Sequence, residues 1–143
     1  MKELYVTRKC GLAVKVENAK GGGPDSIFAT ALKLIKAVPR DWNIIVMDAD
    51  SKWTTKLCEA ARKKNITLCG ASPCMDGLLL RILGQKVPTN SPECKRLFES
   101  SYLDSSKKLD KRNYAGLITK DLVDKVRSSI PELDAIITIL ERR

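Results

Sequence analysis

The sequence predicts an α/β fold in which helices flank a mostly parallel sheet. The first observation is the run NIIVMD at residues 43–48, which is apolar from Ile44 to Met47, as in a parallel strand covered on both faces. The second is that short apolar runs alternate along the chain with segments of helical periodicity. The length of 143 residues fits one domain with a modest core. We therefore expect a single domain over 1–143, with a helical C-terminal part at about 90–143.

The first predicted strand and helix occupy residues 12–38. In LAVKVENAK, residues 12–20, apolar and polar side chains alternate, which predicts a half-buried or edge strand. The following GGGPDS predicts a turn and a helix start, at which Pro24 or Asp25 could hold the first position; we predict Asp25 as the cap. The helix ends before Pro39. Its predicted apolar face consists of Ile27, Ala31, Leu34, Ile35 and Val38.

The remaining elements follow from the same patterns. After the strand at 43–48 we predict, in order, a helix at about 52–64 that ends at Asn65, a strand at 66–72, a helix in CMDGLLLRILG that ends at Gly84, and a helix at about 92–102. Residues 103–116 are polar and charged and predict a loop. Two helical stretches, about 119–130 and 132–141, are separated at Pro131.

Composition limits the chemistry that this chain could perform. It has no histidine, so the usual general base of hydrolases is missing, and its five cysteines form no C-x-x-C pair, which argues against a zinc site. Catalysis would have to use carboxylates, a lysine, a cysteine or a metal. The charged N-terminus MKELYVTRKC and the lack of a long apolar run predict a cytoplasmic protein without a membrane span.

The net charge of +9, from 26 Lys and Arg against 17 Asp and Glu, favours polyanions as partners. Clusters of basic residues could follow a phosphate backbone, although such clusters also occur as ordinary solvated surface. Few aromatic residues are present to stack on bases. The predicted nucleic-acid-binding residues are Lys63, Lys64, Lys107, Lys108, Lys111 and Arg112.

Two aspartates, Asp48 and Asp50, directly follow the apolar run that we predict as a strand. One interpretation is structural: Asp50 or Ser51 caps the next helix. The other is a Mg²⁺ site, since carboxylate oxygens are ligands that this ion prefers and a cation would relieve their repulsion. Ligands gather at the carboxyl ends of parallel strands, and Ser72 and Asp76 follow the end of the next strand. We therefore expect Asp76 to share a cleft with the two aspartates.

The stretch VMDADSKWTTKLCEAARKKNITLCGASPCMDGLLLRIL resembles the RloB-like family, whose members have a Toprim-type core. In that family a D-x-D strand end is followed by a helix and by a strand ending in Ser-x-Pro-Cys-Phe-Glu. Here the corresponding residues are Asp48-Ala49-Asp50 and Ala71-Ser72-Pro73-Cys74-Met75-Asp76. The upstream KVENAKGGGPDSIFATALKLI is similar to the family as well, so the resemblance covers about residues 12–102.

The resemblance implies a Toprim-like fold and a magnesium-dependent nuclease, or other phosphoryl-transfer enzyme, in bacterial or phage defence, together with a protein partner from the same defence system. Asp48 and Asp50 would bind Mg²⁺ and Asp76 would support them, so that all three are candidate catalytic residues. The family's first-strand glutamate has no counterpart, since Glu3 lies too near the start and Glu17 lies on another predicted strand. We therefore expect weak Mg²⁺ binding.

Three interpretations of the function stay open. The first is the enzyme just described, and the second is a catalytically degenerate module that binds nucleic acid or protein. The third is a regulatory subunit that associates through the C-terminal LDAIITIL. Two further motifs each have two interpretations: Gly21–Gly23 as a phosphate cradle or a plain turn, and Cys74 as a nucleophile at a helix N-terminus or a packed structural residue.

Overall fold

The structure is a computed structural model that describes residues 14–19, 21–51, 53–103, 114 and 116–141. Within these residues the sheet consists of two parallel strands, β1 (Asn43–Asp48) and β2 (Ile66–Ala71). Asn43 is paired with Ile66, and Asp48 with Ala71. Both carboxyl ends therefore lie at the same edge of the sheet. The α/β class and both of these strands are confirmed.

The described residues contain six α-helices beside the two strands. In chain order they are α1 (Pro24–Ala37), α2 (Thr55–Lys63), α3 (Met75–Ile82), α4 (Ser91–Tyr102), α5 (Lys120–Val126) and α6 (Pro131–Glu141), with a short 3-10 turn at Arg127–Ser129. Helix α2 connects β1 to β2, as a parallel pair of strands requires. It ends before Asn65, which has a positive φ of 53°, as the sequence predicts. None of the helices in the described residues is both long and apolar enough to cross a membrane.

Two predictions for the start of α1 were decided by the structure. Pro24 holds the first helical position and Gly23 is the N-cap residue, so the prediction of Asp25 as the cap was wrong. Proline suits this position because its missing N–H would have no partner there. Gly21 and Gly22 have φ values of 86° and 97°, which glycine adopts without strain and which favours the interpretation of this stretch as a turn.

The predicted strand at residues 12–20 was wrong for the residues that can be checked. Residues 14–19 belong to no helix or strand, and residues 12, 13 and 20 lie outside the described part of the chain. Val14 is half-buried, whereas Val16 has 71% of its surface exposed, so the described residues cover the apolar side of the alternating pattern only in part. A strand needs backbone partners from a neighbouring strand, and alternation alone does not supply them.

The two faces of the sheet are covered to different extents. Ile45 and Met47 of β1 point to the face that packs against α1 and α2, where they contact Ile27, Phe28 and Ala31. On the opposite face, Cys69 and Ala71 of β2 are buried, and β2 there packs on α6. Ile44 and Val46 of β1 are only half-buried. The prediction that β1 is fully covered on both faces was therefore wrong within the described residues.

Two further groups of buried side chains complete the core. Helices α3, α5 and α6 share one group with the end of β2, consisting of Ala71, Leu78, Ile82, Ile118, Val123, Ile130, Leu133 and Ile137. Helices α3 and α4 share the other, consisting of Cys74, Leu80, Cys94 and Phe98. The predicted apolar face of α1 is partly wrong, since Leu34 and Val38 are 38% and 47% exposed. Most of the predicted loop at 103–116 lies outside the described residues.

Candidate functional site at the carboxyl edge of the sheet

Asp48 is the last residue of β1 and it is exposed. Its Oδ1 atom accepts a hydrogen bond from the backbone N–H of Met75, the first residue of α3, at 2.8 Å. The first N–H groups of a helix have no partner within the helix, and a carboxylate there also interacts favourably with the helix dipole. Asp48 therefore caps a helix that follows the neighbouring strand, 27 residues further along the chain.

Asp50 lies in the turn after β1 and is held by two contacts. Its backbone N–H donates to the carbonyl oxygen of Pro73 at 3.1 Å. Its Oδ2 atom accepts a hydrogen bond from the hydroxyl of Ser91, the first residue of α4. The N–H of Ala49 donates to the carbonyl of Ala71 at 2.8 Å, which extends the pairing of the strands into the turn. The D-x-D turn is thus hydrogen-bonded both to the loop after β2 and to α4.

Each of the two aspartates therefore faces the N-terminus of a different helix. Asp48 faces α3 directly, and Asp50 faces α4 through Ser91. The partial positive charge at the two helix ends offsets the repulsion between the carboxylates without a metal ion. Thr54, and not Asp50 or Ser51, caps α2, since its side chain accepts the N–H of Leu57 at 3.1 Å. The interpretation of Asp50 or Ser51 as the cap of this helix was therefore wrong.

Asp76 lies in the first turn of α3 and is half-buried. Its pKa is raised, first because burial disfavours the charged form and also because Asp48 and Glu99 are negative. Lys95 and the backbone N–H of Asp76 act in the opposite direction. The structure therefore brings Asp48 and Asp76 near enough to interact electrostatically, while the Asp50 side chain is bonded to Ser91 on α4.

Asp48 and Asp50 are the residues predicted to bind Mg²⁺. Among the residues that the structure describes, no group of three or more His, Cys, Asp or Glu side chains is arranged to hold a metal ion. Asp48 and Asp50 each use one carboxylate oxygen in a hydrogen bond and keep the other. Mg²⁺ often binds through only one or two carboxylates, with water completing its shell. Weak Mg²⁺ binding by Asp48 and Asp50 stays a prediction.

Cys74 is the residue before α3 and is 2% exposed. It packs with Cys94 of α4, which is fully buried and whose thiol donates to the carbonyl of Pro88 at 3.4 Å. Burial raises the pKa of the Cys94 thiol, and contact with Cys74 raises it further. The low exposure of Cys74 favours the packed interpretation over a nucleophile that meets substrate.

A group of aromatic rings lies beside Asp76. The ring of Phe98 is 5.6 Å from that of Tyr102 and 6.1 Å from that of Tyr114, centroid to centroid. The pKa of Tyr114 is raised by burial and then by the negative charges of Asp76 and Glu99. Leu103 and Tyr114, which flank residues 104–113, thus both pack near Phe98. Tyr114 also lies near Asp76.

The predicted nucleic-acid-binding residues divide into two groups. Lys63 and Lys64 are exposed at the end of α2, where cations also complement the helix dipole. The other four residues lie outside the described part of the chain, and they are Lys107, Lys108, Lys111 and Arg112.

Sequence reasoning missed Ser91, Cys94 and Tyr114 as neighbours of the candidate site. The sequence at 90–93, NSPE, is a typical helix start and was a signal for Ser91. In the structure the Asn90 side chain accepts the N–H of Glu93 at 3.0 Å. No comparable signal marked Cys94 or Tyr114.

No family model, curated protein or solved structure matches this chain. The site is therefore interpreted from its own geometry.

Proposed function

We propose that the protein binds nucleic acid through basic segments carried by the α/β body. The observation behind this proposal is the distribution of charge. The whole chain carries a net charge of +9, from 26 Lys and Arg against 17 Asp and Glu. Part of this charge lies in short basic runs of the sequence, which are Arg62-Lys63-Lys64, Lys107-Lys108, Lys111-Arg112 and Arg142-Arg143.

Segment 104–113 is the best candidate for the main contact with phosphates. Its sequence, DSSKKLDKRN, has four basic residues and two acidic ones. Leu103 before it and Tyr114 after it pack in the same group of buried side chains. The two residues that flank the segment therefore lie in the same part of the protein body, and Tyr114 lies near Asp76. Lysine and arginine side chains there would contact the backbone of the nucleic acid, which carries no direct sequence information.

The proposed binding has two expected properties. It should weaken with salt, because each neutralised phosphate of a duplex releases counterions and contributes roughly 0.9 to the slope of log affinity against log salt. It should show little sequence preference, because the chain is only 5% aromatic and base stacking has few candidate residues. We also propose that this occurs in the cytoplasm, where reduced cysteines such as the four described here are the rule.

The test is fluorescence anisotropy with a labelled DNA duplex and a labelled RNA of the same length, at several salt concentrations. One variant replaces four basic residues of the segment by glutamine, at Lys107, Lys108, Lys111 and Arg112. A matched control removes the same charge from exposed lysines of the described body, at Lys33, Lys36, Lys56 and Lys86. We expect the first variant to reduce the salt slope for the duplex by up to roughly 3.6. The control variant should change the slope much less.

Three outcomes would contradict the proposal. The first is no binding at about 50 mM salt, and the second is binding that does not depend on salt. The third is an equal reduction of the salt slope in the two variants. That result would mean that net charge alone, and not segment 104–113, attracts the nucleic acid. A Lys63→Gln, Lys64→Gln pair, measured in the same way, decides whether the end of α2 belongs to the binding surface.

A magnesium-dependent nuclease is the second candidate function. Two observations favour it: Asp48 interacts electrostatically with Asp76, and Asp50 lies at the same edge of the sheet. The resemblance to RloB-like proteins implies the same activity. Incubation of labelled DNA and RNA with Mg²⁺ or with EDTA tests it. Cleavage that needs Mg²⁺ and is lost in Asp48→Asn and in Asp50→Asn would support the enzyme. No cleavage in Mg²⁺ or in Mn²⁺ would leave binding as the function.

A further inference from the structure

Two buried thiols from different elements meet beside the candidate site. Cys74 lies between β2 and α3, and Cys94 lies in the first turn of α4. Their exposed fractions are 2% and 0%, and both side chains belong to the same group of buried residues. They share their surroundings with Leu80 and Phe98, which are fully buried.

Gly77 lies in the first turn of α3, close to Pro73 and to Cys94. A methyl group built on this residue would lie 3.4 Å from the Sγ atom of Cys94 and only 2.7 Å from the Cδ atom of Pro73. The overlap with Pro73 means that a side chain at Gly77 does not fit against the loop before α3 without a shift. The absence of a side chain at Gly77 therefore keeps the neighbourhood of the two thiols tightly packed.

The other described cysteines are not placed for the same contact. Cys58 is exposed on α2. Cys69 points to α6, where its thiol lies 3.5 Å from the backbone carbonyl oxygen of Glu132. Among the described cysteines, only Cys74 and Cys94 belong to the same group of buried side chains.

We propose that Cys74 and Cys94 are a modification site, at which a reversible disulfide forms on exposure to a low-molecular-weight disulfide such as oxidised glutathione. One cysteine thiolate attacks a sulfur of the glutathione disulfide, forming a mixed disulfide and releasing one glutathione thiolate. The second cysteine thiolate then attacks the protein sulfur of that mixed disulfide and releases the second glutathione. Two protein S–H bonds are replaced by one S–S bond, and the two protons end on the two reduced glutathione molecules.

The burial of both thiols sets the conditions for this reaction. Thiolates are the attacking species, and burial raises the pKa of Cys94, so the reaction should be slow at neutral pH and faster at higher pH. Glutathione can reach the pair only when the first turn of α4 opens. Once both sulfurs are exposed to oxidant, their proximity favours the intramolecular disulfide over two separate mixed disulfides.

The disulfide would act on the same contacts that hold the two aspartates. Cys74 directly precedes Met75, whose N–H donates to Asp48, and Cys94 lies one turn after Ser91, which donates to Asp50. A covalent bond between these positions would tie the starts of α3 and α4 together. It would also close a loop of about 20 residues, which restricts the unfolded chain and stabilises the native one.

The test is peptide mapping of the full chain after incubation with oxidised glutathione at pH 8, with remaining thiols alkylated before digestion. Trypsin releases Cys94 in peptide 87–95 and Cys74 in peptide 65–81. We expect these two peptides to appear linked, with the mass of the pair reduced by two hydrogens. Peptide 65–81 also contains Cys69, so fragment ions from cleavage between residues 70 and 73 identify the linked cysteine.

The second measurement is thermal unfolding of the oxidised and the reduced protein. We expect oxidation to raise the Tm by roughly 5–10 °C and reduction with dithiothreitol to reverse the shift. Cys94→Ala should abolish both the shift and the linked peptides, whereas Cys58→Ala should leave both unchanged. Recovery of Cys74 and Cys94 as alkylated thiols, under conditions in which Cys58 becomes glutathionylated, would overturn the proposal. A link between Cys69 and Cys94 would overturn it as well.

Discussion

The Oδ1 atom of Asp48 lies 2.8 Å from the backbone nitrogen of Met75 and accepts its N–H. A residue at the end of β1 thus caps the helix that follows β2. The hydrogen bond joins the two parts of the chain that meet at the carboxyl edge of the sheet, and it gives Asp48 a structural role that does not depend on any ligand. The consequences of this role can be measured separately from those of metal or nucleic-acid binding.

Asp48→Ala should lower the free energy of unfolding by about 1 kcal/mol, because the first N–H groups of α3 lose a charged acceptor. Asp48→Asn should recover most of this loss, since asparagine keeps a carbonyl oxygen that can accept the same hydrogen bond. Urea unfolding monitored by circular dichroism measures both variants. Asp41→Ala, which changes an exposed aspartate before β1, is the control. Equal stability of Asp48→Ala and this control would show that the bond contributes nothing.

Gly77→Ala should destabilise the protein by about 1–3 kcal/mol, because the added methyl group would overlap Pro73 and press on Cys94. The overlap involves a proline ring next to the backbone, which cannot move aside as the end of a flexible side chain can. Gly116→Ala is the matched control, since nothing lies within 4 Å of the added methyl there and its φ is not positive. Urea unfolding compares the two. A smaller loss at Gly77 than at Gly116 would contradict the packing described.

Much of this fold could be predicted from the sequence, and the reasons are local. NIIVMD and ITLCGA are apolar runs of strand length, and Asn65 and Gly84 are residues that tolerate the positive φ found at helix ends. The predicted strand at 12–20 failed because alternation does not specify a pairing partner. Prediction of Asp25 as a cap failed because Pro24 and Asp25 both fit a helix start, and the choice depends on backbone angles.

The candidate site was predictable only in part. Its location at the carboxyl edge followed from the parallel strands, but the partners of the two aspartates did not. Asp48 bonds to Met75 and Asp50 bonds to Ser91, at separations of 27 and 41 residues. No spacing rule within one element reports such contacts, since they depend on how α3 and α4 pack against each other. The packing of Cys74 against Cys94 also depends on how α3 and α4 meet, so spacing in the sequence does not predict it.

Asp76→Asn should make the protein more stable than the native chain at neutral pH. Because folding raises the pKa of Asp76 above its ordinary 3.8, the native state binds the proton more tightly than the unfolded chain does. The free energy of unfolding therefore falls as pH rises through the interval between 3.8 and the raised pKa, and the ionised carboxylate remains unfavourable above it. Asparagine removes this charge.

The gain in stability from Asp76→Asn should shrink as pH falls through the raised pKa of Asp76, because the native carboxyl then becomes protonated. Urea unfolding between pH 4 and pH 8, with EDTA present, measures the difference between the variant and the native chain. Asp41→Asn is the control for loss of an exposed negative charge. If the variant has no higher free energy of unfolding than the native chain at pH 7, or if the difference grows as pH falls, the effect of burial on Asp76 is contradicted.

Mg²⁺ should bind weakly to the native chain and not to the Asp48→Asn, Asp50→Asn double variant. Each of these carboxylates has one oxygen engaged by a helix start and a second oxygen that could face a hydrated cation. The helix dipoles already offset part of the negative charge, and no third carboxylate in the described residues completes a metal-binding group, so the affinity should be low. Isothermal titration calorimetry with Mg²⁺ and with Mn²⁺ measures it. An Asp25→Asn, Asp41→Asn variant, which removes the same charge elsewhere, is the matched control. Equal heats from the native chain and the Asp48, Asp50 variant would rule out the metal site. Asp48 would then be only a cap of α3, and Asp50 only an acceptor for the hydroxyl of Ser91.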